Sequence, residues 1–382
     1  MNIKRSLVRI FVIAEKEWIQ IRRDARSLIL ALVMPAFLVV LFGYALNMDV
    51  KNVKVGIYDQ DRTAFSRDYL ERFSHTGYIR IVRYLGSYRE IDRAIDHDDI
   101  VMAIVLPVNF SKRYSSGKPA EVQVLVDGAD STSATIAVGY IKAITYQFNR
   151  ELQKQELARQ GITGVRLPIA VKSRVWYNAE LQSKNFIVPG VIVMIIAIIS
   201  ALITSLTMSR EWERGTMETL ITTPVRGFEV ITGKLVPYFL IGIFDVITTL
   251  CAGYFIFGVP MRGSYIELCL IASLFLVGTS GLGILISSAT RVQVLSVQVA
   301  IIITYLPSFI LSGFIFPIKN MPVIIQGITY IIPARYMITV MKDLALKGVG
   351  HSLLMTQILF LSIFTVLVIL LSIKKFRVQL PE

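Results

Sequence analysis

The chain has 382 residues, of which 54% are hydrophobic and 18% are charged, and its net charge is +13. A soluble protein is usually about 45–50% apolar and about 25% charged, so this composition excludes an ordinary soluble domain and favours an integral membrane protein. Basic residues at the cytoplasmic ends of membrane spans account for the positive charge, and we therefore expect no nucleic-acid partner.

Residues 1–26 are predicted to form an amphipathic helix that precedes a first span, residues 27–46. Apolar residues recur at steps of four and three, which places on one helical face Leu7, Phe11, Ala14, Trp18, Ile21, Ala25 and Leu28. Lys and Arg occupy the other faces. Such a helix is typical of a segment lying on the inner membrane surface, and the alternative is a cytosolic helix packed on a partner. We favour the membrane surface because a span follows at once.

Residues 47–186 form a polar segment that we predict to be an inserted α/β domain outside the cytoplasm. Runs rich in Val, Ile and Tyr predict strands at 54–59, 78–84, 101–107, 121–127 and 170–177, with helices at 64–74, 87–97 and 133–159. Asp59, Asp61, Asp127 and Asp130 fall at strand ends. They could bind a cation, but no spacing matches a calcium loop, so we expect turn and cap chemistry.

Six apolar stretches are long enough to cross a bilayer, namely 28–46, 187–208, 235–257, 268–287, 292–314 and 353–373. Residues 187–382 would thus form a five-span transmembrane domain. The distribution of Lys and Arg predicts that both termini are cytoplasmic. The connection 314–350 is apolar and is interrupted by Pro317, Pro322 and Pro333, which predicts re-entrant short helices dipping into the outer leaflet.

No catalytic motif is present in the sequence. There is no phosphate-binding loop and no Gly-x-Ser-x-Gly, and the three histidines are scattered, so we expect neither a bound cofactor nor a metal site in this chain. Asp245 is essentially the one charge inside a predicted span. It is either a conformational or proton-linked site, or a carboxyl held by a hydroxyl of a neighbouring span, which we favour. The chain therefore offers a membrane pathway without an energy source.

A charged segment, residues 209–234, separates two of the spans. Gly215 ends the preceding helix and Thr216 is suited to cap a new one, with Glu218 in its first turn and Pro224 after its last. Met217 and Leu220 share an apolar face with Ile221. A solvated loop would explain the arginines but not the glutamates, the cap and the apolar face. We interpret the segment as a short helix that docks on a cytosolic protein.

The sequence SREWERGTMETLITTPVRGFEVITGKLVPY, residues 209–238, resembles the signature of type 2 ATP-binding-cassette (ABC) exporter permeases. Further similar segments are VGIYDQDRTAFSRDYLERF, LSGFIFPIKNMP and PARYMITVMKDLALKGVG, and the resemblance covers nearly the whole chain. It is closest to the bacterial subgroup that carries a large extracytoplasmic domain after the first span and is often linked to drug efflux.

The resemblance implies the type 2 ABC exporter permease fold, an α-helical polytopic membrane protein with six transmembrane helices in the bacterial inner membrane. Two permease copies, or this chain and a paralogue, would pair, and a cassette ATPase dimer would bind ATP and Mg below them. The lead helix corresponds to the family's connecting helix, and the charged segment to its coupling helix. The expected coupling residues are Arg210, Glu211, Glu213, Arg214, Gly215, Thr216, Met217, Glu218, Leu220 and Pro224.

In that arrangement Glu211 and Glu218 make polar contacts with the ATPase, Met217 and Leu220 fill its groove, and Gly215 provides the turn. Trp212 stands where the resemblance leads us to expect a charged or polar residue. The second and fifth spans would line the substrate path, for which the polar candidates are Thr204, Ser205, Gln298, Thr304 and Ser308.

These residues are compatible with an amphiphilic drug, a lipid or a polymer, and they do not distinguish between these three substrate classes. Membrane lipid and a periplasmic adaptor protein are further expected partners. Two rival functions remain open: a secondary transporter that uses Asp245, and a non-transporting receptor whose outer domain binds a ligand.

Overall fold

A computed structural model describes residues 3–46, 52–74, 76–129, 131–159, 177–178 and 182–378. The chain divides into two compact units. The transmembrane unit comprises Met1–Met48 and Arg174–Glu382, and the α/β unit comprises Asp49–Ser173.

The transmembrane unit begins with helices α1 (Ile3–Arg23), α2 (Ala25–Leu32) and α3 (Met34–Ala45). The first span predicted at 28–46 falls on α2 and α3, between which the helix is interrupted at Val33. Pro35 lies in the first turn of α3, where it has no N–H to donate to the preceding turn. The 12 residues of α3 reach only about 18 Å, less than the hydrocarbon core of a bilayer.

The α/β unit contains β1 (Val53–Asp59), α4 (Ala64–Ser74), β2 (Ile79–Tyr84), α5 (Tyr88–Asp96), β3 (Met102–Leu106), α6 (Phe110–Ser115), β4 (Gln123–Val126) and α7 (Ser131–Arg159). The strand order is β2-β1-β3-β4, with β4 antiparallel to β3 and the other pairs parallel. The first four predicted strands and the three predicted helices are confirmed, with ends displaced by no more than about two residues. The fifth predicted strand, 170–177, lies almost entirely outside the described residues.

Two apolar cores cover the sheet of the α/β unit. One includes Tyr69, Phe110 and Phe148 from three helices, and the other is built around Ile91 of α5. The strand-end aspartates serve turns, as expected. Asp59 Oδ1 accepts backbone hydrogen bonds from Asp61 and Arg62 at 3.0 Å, and Asp127 Oδ1 accepts one from Ala129 at 2.9 Å. Asp130 lies outside the described residues, among which no group of acidic, His or Cys side chains is arranged to hold a metal ion.

The transmembrane unit continues with α8 (Lys184–Glu213), α9 (Thr216–Thr222), α10 (Gly227–Phe255), α11 (Tyr265–Thr290) and α12 (Gln293–Ile310). Then come α13 (Val323–Thr329), α14 (Pro333–Lys342) and α15 (His351–Val378). Within the described chain, the helices long and apolar enough to cross a membrane are α8, α10, α11, α12 and α15. Helix α13 and the segment Pro333–Lys347 meet at 83°, the geometry of a broken span or a re-entrant loop.

Helix α8 lies at the centre of the transmembrane unit. Close packing on α11 is possible because Gly283 has no side chain: a Cβ there would lie 2.1 Å from Thr204 Oγ1. On α8 itself, Gly190 leaves space for the ring of Phe314, because a Cβ at this position would overlap the ring. The chain thus builds one layered helical core around α8, from which the charged segment leads to α10.

Candidate functional site

The charged segment starts inside a helix rather than after one. Helix α8 runs on through Arg210 and Glu211 to Glu213, and the chain then turns at Gly215, whose φ is +70°. The prediction that Thr216 caps α9 is wrong, because the capping position falls on Gly215 and Thr216 is the first helical residue. A left-handed backbone is needed at that point, and glycine adopts it without the usual cost of about 1–2 kcal/mol. Helix α9 ends at Thr222, before Pro224, as the sequence predicts.

The apolar side of α9 faces the protein itself. Met217 is 1% exposed and packs in a cluster with Ile13 of α1, Met208 of α8 and Phe376 of α15. Leu220 is partly buried against the same cluster. The expectation that Met217 fills a groove of another protein is therefore corrected, since Met217 anchors α9 to the transmembrane unit. The same role for Leu220, which keeps an exposed part, stays a prediction.

The opposite side of α9 is open. Thr216, Glu218, Thr219 and Thr222 are exposed, as are Arg214 before the helix and Pro224 after it. The Thr222 hydroxyl donates a hydrogen bond to the backbone of Thr219 at 2.8 Å, which is within the helix itself. The surface available to a partner is thus polar and carries Glu218, while the apolar residues hold the helix from behind.

Glu211 lies in a buried ion network. Its Oε1 accepts from Lys16 Nζ at 2.8 Å and from Lys234 Nζ at 2.9 Å. Lys234, fully buried, also pairs with Glu17 of α1, to which the Tyr238 hydroxyl donates at 3.3 Å. Buried charges are tolerated only when they are paired in this way. The expected contact of Glu211 with an ATPase is therefore corrected, since its carboxylate links α1, α8 and α10.

Three further polar contacts tie the same end of the transmembrane unit together. Arg210 pairs with Asp24 at 3.3 Å. The Glu213 carboxylate accepts a hydrogen bond from the backbone N–H of Gln293 at 2.7 Å, at the start of α12. The guanidinium of Arg291 lies over the ring of Trp212, 4.4 Å from its centroid. Trp212 is thus a cation–π partner within the chain, which accounts for an aromatic residue in a charged segment.

Helix α1 has two different faces. Its inward face buries Ile13, Glu17 and Ile21, and its outward face leaves Leu7 and Phe11 about 59% and 68% exposed. Ile21, predicted on the outward apolar face, belongs to the inward one. The inward face approaches α10 closely because Gly233 has no side chain; a Cβ there would lie 2.8 Å from Ile13.

The predicted substrate-path residues are mostly enclosed. Thr204 and Ser205 are fully buried, and their hydroxyls donate to backbone carbonyls of their own helix at 2.7 Å. Thr304 and Ser308 are buried as well, whereas Gln298 is exposed. Thr204 faces Gly283 of α11, so its assignment to an open path is corrected.

Asp245 is buried within α10, and its Oδ1 has no hydrogen-bond partner among the described residues. The favoured expectation of a hydroxyl partner from a neighbouring span is therefore wrong.

Sequence reasoning missed the charges that organise this end of the molecule. In the sequence, Lys234 stands at the end of the charged segment 209–234, where no role was assigned to it, and Glu17 was not singled out. The available signal was the spacing of Glu17 four residues from both Ile13 and Ile21, which places an acid on a buried helical stripe.

The fold and the site together define a multi-pass membrane protein in which a short helix is clamped to one end of the transmembrane helices. The sequence profile described as "ABC-2 family transporter protein" matches residues 25–374. The chain belongs to this family. It is a transport subunit, a permease, rather than an enzyme.

Curated relatives agree with this assignment. The chain is 37% identical over 354 residues to the "Probable multidrug ABC transporter permease YbhS" of Escherichia coli K12, covering 92% of each chain. It is 30% identical over 337 residues to the "Probable multidrug ABC transporter permease YbhR" of the same organism, covering 86% of this chain and 89% of the relative. The "Inner membrane transport permease YhhJ" is 25% identical over 310 residues, covering 80% of both chains.

Proposed function

We propose that this chain is the permease subunit of an ATP-driven exporter that moves an amphiphilic substrate, such as a drug, a lipid or a polymer, out of the cytoplasm or inner leaflet. A separate cassette ATPase dimer binds ATP and Mg, and the permease pairs with a second copy or a paralogue. The protein resides in the bacterial inner membrane with both termini in the cytoplasm and the α/β unit outside it. The names of YbhS and YbhR, multidrug ABC transporter permeases, support the exporter assignment. The name of YhhJ, an inner membrane transport permease, supports the location in the inner membrane.

One observation carries the proposal: α9 is anchored from behind by Met217 and presents a polar face outward. A helix held in this way transmits a push or pull from a docked protein, because its base packs at 1% exposure against residues of α1, α8 and α15. The Glu211–Lys234–Glu17 network extends the connection to α10. ATP binding in the partner would favour one arrangement of these helices over another, which is a population shift driven by a ligand on another chain.

The docking surface is tested by co-purification of the ATPase from the native host in mild detergent. We expect Glu218→Arg combined with Thr219→Arg to abolish recovery of the ATPase, because both side chains lie on the exposed face of α9. The matched control is Glu121→Arg, an exposed acid of the α/β unit. Recovery of the ATPase at the wild-type level with the double variant would contradict the proposal.

The turn at Gly215 is tested separately. A Cβ added at Gly215 would meet no neighbouring atom within 4 Å, but the residue in Gly215→Leu must adopt φ +70°. We expect the protein to remain folded while ATP-dependent transport in proteoliposomes is lost, since the strain of about 1–2 kcal/mol is relieved by displacing α9. Gly139→Leu, on α7 with free space and an ordinary backbone, is the control. Normal transport by Gly215→Leu would count against the coupling role.

A secondary transporter is the second candidate, because the buried Oδ1 of Asp245 lacks a partner. Transport that persists without any ATPase and is lost in Asp245→Asn would establish it instead.

A further inference from the structure

The α/β unit contains a cavity of about 320 Å³ between α4, α6 and α7. Its lining includes Phe65, Tyr69, Phe110, Tyr114 and Phe148. A volume of this size falls at the lower end of small-molecule sites, which are commonly lined by aromatic side chains with a few polar groups. None of the residues discussed for ATPase coupling belongs to it.

The aromatic wall of the cavity is ordered by ring contacts. Phe65 stacks on Tyr114 with ring centroids 4.5 Å apart and an interplanar angle of 13°. Tyr69 and Phe148 meet edge-on at 5.1 Å. Tyr69 and Phe148 are buried, whereas Tyr114 is 38% exposed at the rim. The Tyr69 hydroxyl is already paired with Thr145 at 2.7 Å, so the deep part of the cavity offers an apolar surface for a planar group.

The mouth of the cavity carries a single formal charge. Lys118 is the one Lys, Arg, Asp or Glu side chain in the lining, and it is exposed. The backbone beside it is fixed, because Lys118 N–H donates to Arg113 at 3.0 Å and Arg113 Nε donates to the Pro119 carbonyl at 2.9 Å. In the described part of the chain no carboxylate pairs with Lys118. The acid on the adjoining turn of α7, Glu151, is already paired with Arg72 at 2.5 Å.

We propose that this cavity binds a small anionic amphiphile with an aromatic body, such as an aryl carboxylate. The ring occupies the cavity against the aromatic side chains that line it, and the anionic group remains at the mouth, where it pairs with Lys118. Charge and shape select this class together, since an apolar slot with an unneutralised cation at its rim disfavours cationic amphiphiles. The site is separate from α9, and the inference does not depend on the proposed ATPase coupling.

The test is photoaffinity labelling of the full chain in lipid nanodiscs with para-(trifluoromethyldiazirinyl)benzoate, followed by peptide mass spectrometry. We expect saturable adducts on the peptides that contain Tyr114 and Phe148, and displacement by unlabelled naphthoate. Lys118→Gln should weaken the apparent affinity about tenfold, as loss of a charge-assisted contact does, and Lys118→Arg should retain it. Lys112→Gln, an exposed lysine of α6 outside the lining, is the matched control.

Two further measurements complete the test. Ala120→Trp fills the cavity and should remove the adducts at Tyr114 and Phe148 while the labelling of lipid-facing peptides is unchanged. The neutral benzyl alcohol analogue of the probe should label the site more weakly than the anion. Unsaturable labelling, or equal labelling of wild type and Lys118→Gln, would overturn the proposal. Loss of ATPase co-purification in the α9 variants would leave this site unaffected, so the two proposals fail separately.

Discussion

Lys234 links three helices, because it pairs with two buried carboxylates that belong to two other helices. Its Nζ contacts Glu17 of α1 and Glu211 of α8, and the lysine itself belongs to α10. A buried pair of this kind is often no more stable than apolar packing, but removing one partner leaves a costly unpaired charge. Lys234 therefore provides a sensitive test of how firmly α1 is attached.

We expect Lys234→Met to lower the free energy of unfolding by about 3–5 kcal/mol, because Glu17 would then be buried without a counter-charge and Glu211 would keep only that of Lys16. Denaturant titration of the purified protein in mild detergent measures the loss. Lys375→Met, an exposed lysine of α15, should have no measurable effect. Combining Lys234→Met with Glu17→Gln and Glu211→Gln should recover most of the stability; a triple variant as unstable as the single one would refute the charge explanation.

For Asp245 we expect the opposite result: removing its charge should not lower the stability of the protein. A charged carboxylate without a partner costs several kcal/mol in an apolar interior, so a neutral amide of the same shape should be accommodated. We expect Asp245→Asn to keep wild-type stability and ATP-dependent transport, measured with an amphiphilic dye in proteoliposomes. Asp245→Leu, which removes the polar group, is the companion variant. Transport abolished in both variants, with the fold intact, would favour the secondary transporter.

At the scale of the element, α1 is held on one face and free on the other. Ile13, Glu17 and Ile21 are buried against the protein, and Leu7 and Phe11 are exposed beside Trp18, itself 40% exposed. Exposed apolar residues on an otherwise basic helix favour insertion into the headgroup boundary of a membrane. We therefore expect the outward face to contact lipid, whereas the inward face attaches α1 to the rest of the transmembrane unit.

We expect Trp18 to lie about 5–10 Å below the headgroup boundary. In a protein that retains Trp18 but carries Trp176→Phe and Trp212→Phe, brominated lipids with shallow bromines should quench the fluorescence more than lipids with deep bromines. The control retains Trp212 alone, whose ring is covered by Arg291. Quenching of Trp18 no stronger than that of Trp212 would place α1 away from the membrane.

At the scale of the whole molecule, the chain comprises two units that each have their own apolar core. We therefore expect two separable unfolding transitions, and a substitution confined to the α/β unit should shift only one of them. Asp61 provides such a substitution. Burial raises the pKa of Asp61, but hydrogen bonds from Ser111 and Thr63 together lower it by more, so the pKa lies below its ordinary value of 3.8.

A carboxyl whose pKa is lowered by folding stabilises the fold above its unfolded pKa and loses that effect as the pH falls through its folded pKa. We expect Asp61→Asn to shift the transition of the α/β unit downward above about pH 4, with the difference from wild type shrinking at lower pH. Calorimetry of the full chain across this pH range measures the shift. Asp92→Asn, an exposed acid of α5, serves as the control. A pH-independent difference would refute the assignment.

Local patterns in the sequence were sufficient to predict the elements of the α/β unit. The run from Ala64 to Ser74 was predicted as a helix with both ends correct, and the Val-, Ile- and Tyr-rich composition around Val55 and Ile57 predicted β1. Pro224 likewise predicted the end of α9. These features follow from backbone geometry and hydrophobic periodicity within a few residues, which is information that the chain carries locally.

The sequence by itself thus determined the membrane class, the family resemblance, the long apolar helices and a short helix in the charged segment. Only the tertiary structure decided which side of each helix is free. Met217 and Glu211 looked like contacts for a partner, yet residues distant in the chain, Phe376 and Lys16, already contact them. Burial depends on which helices meet, and those contacts join residues far apart in the chain, so periodicity identifies an apolar or charged face without identifying what covers it.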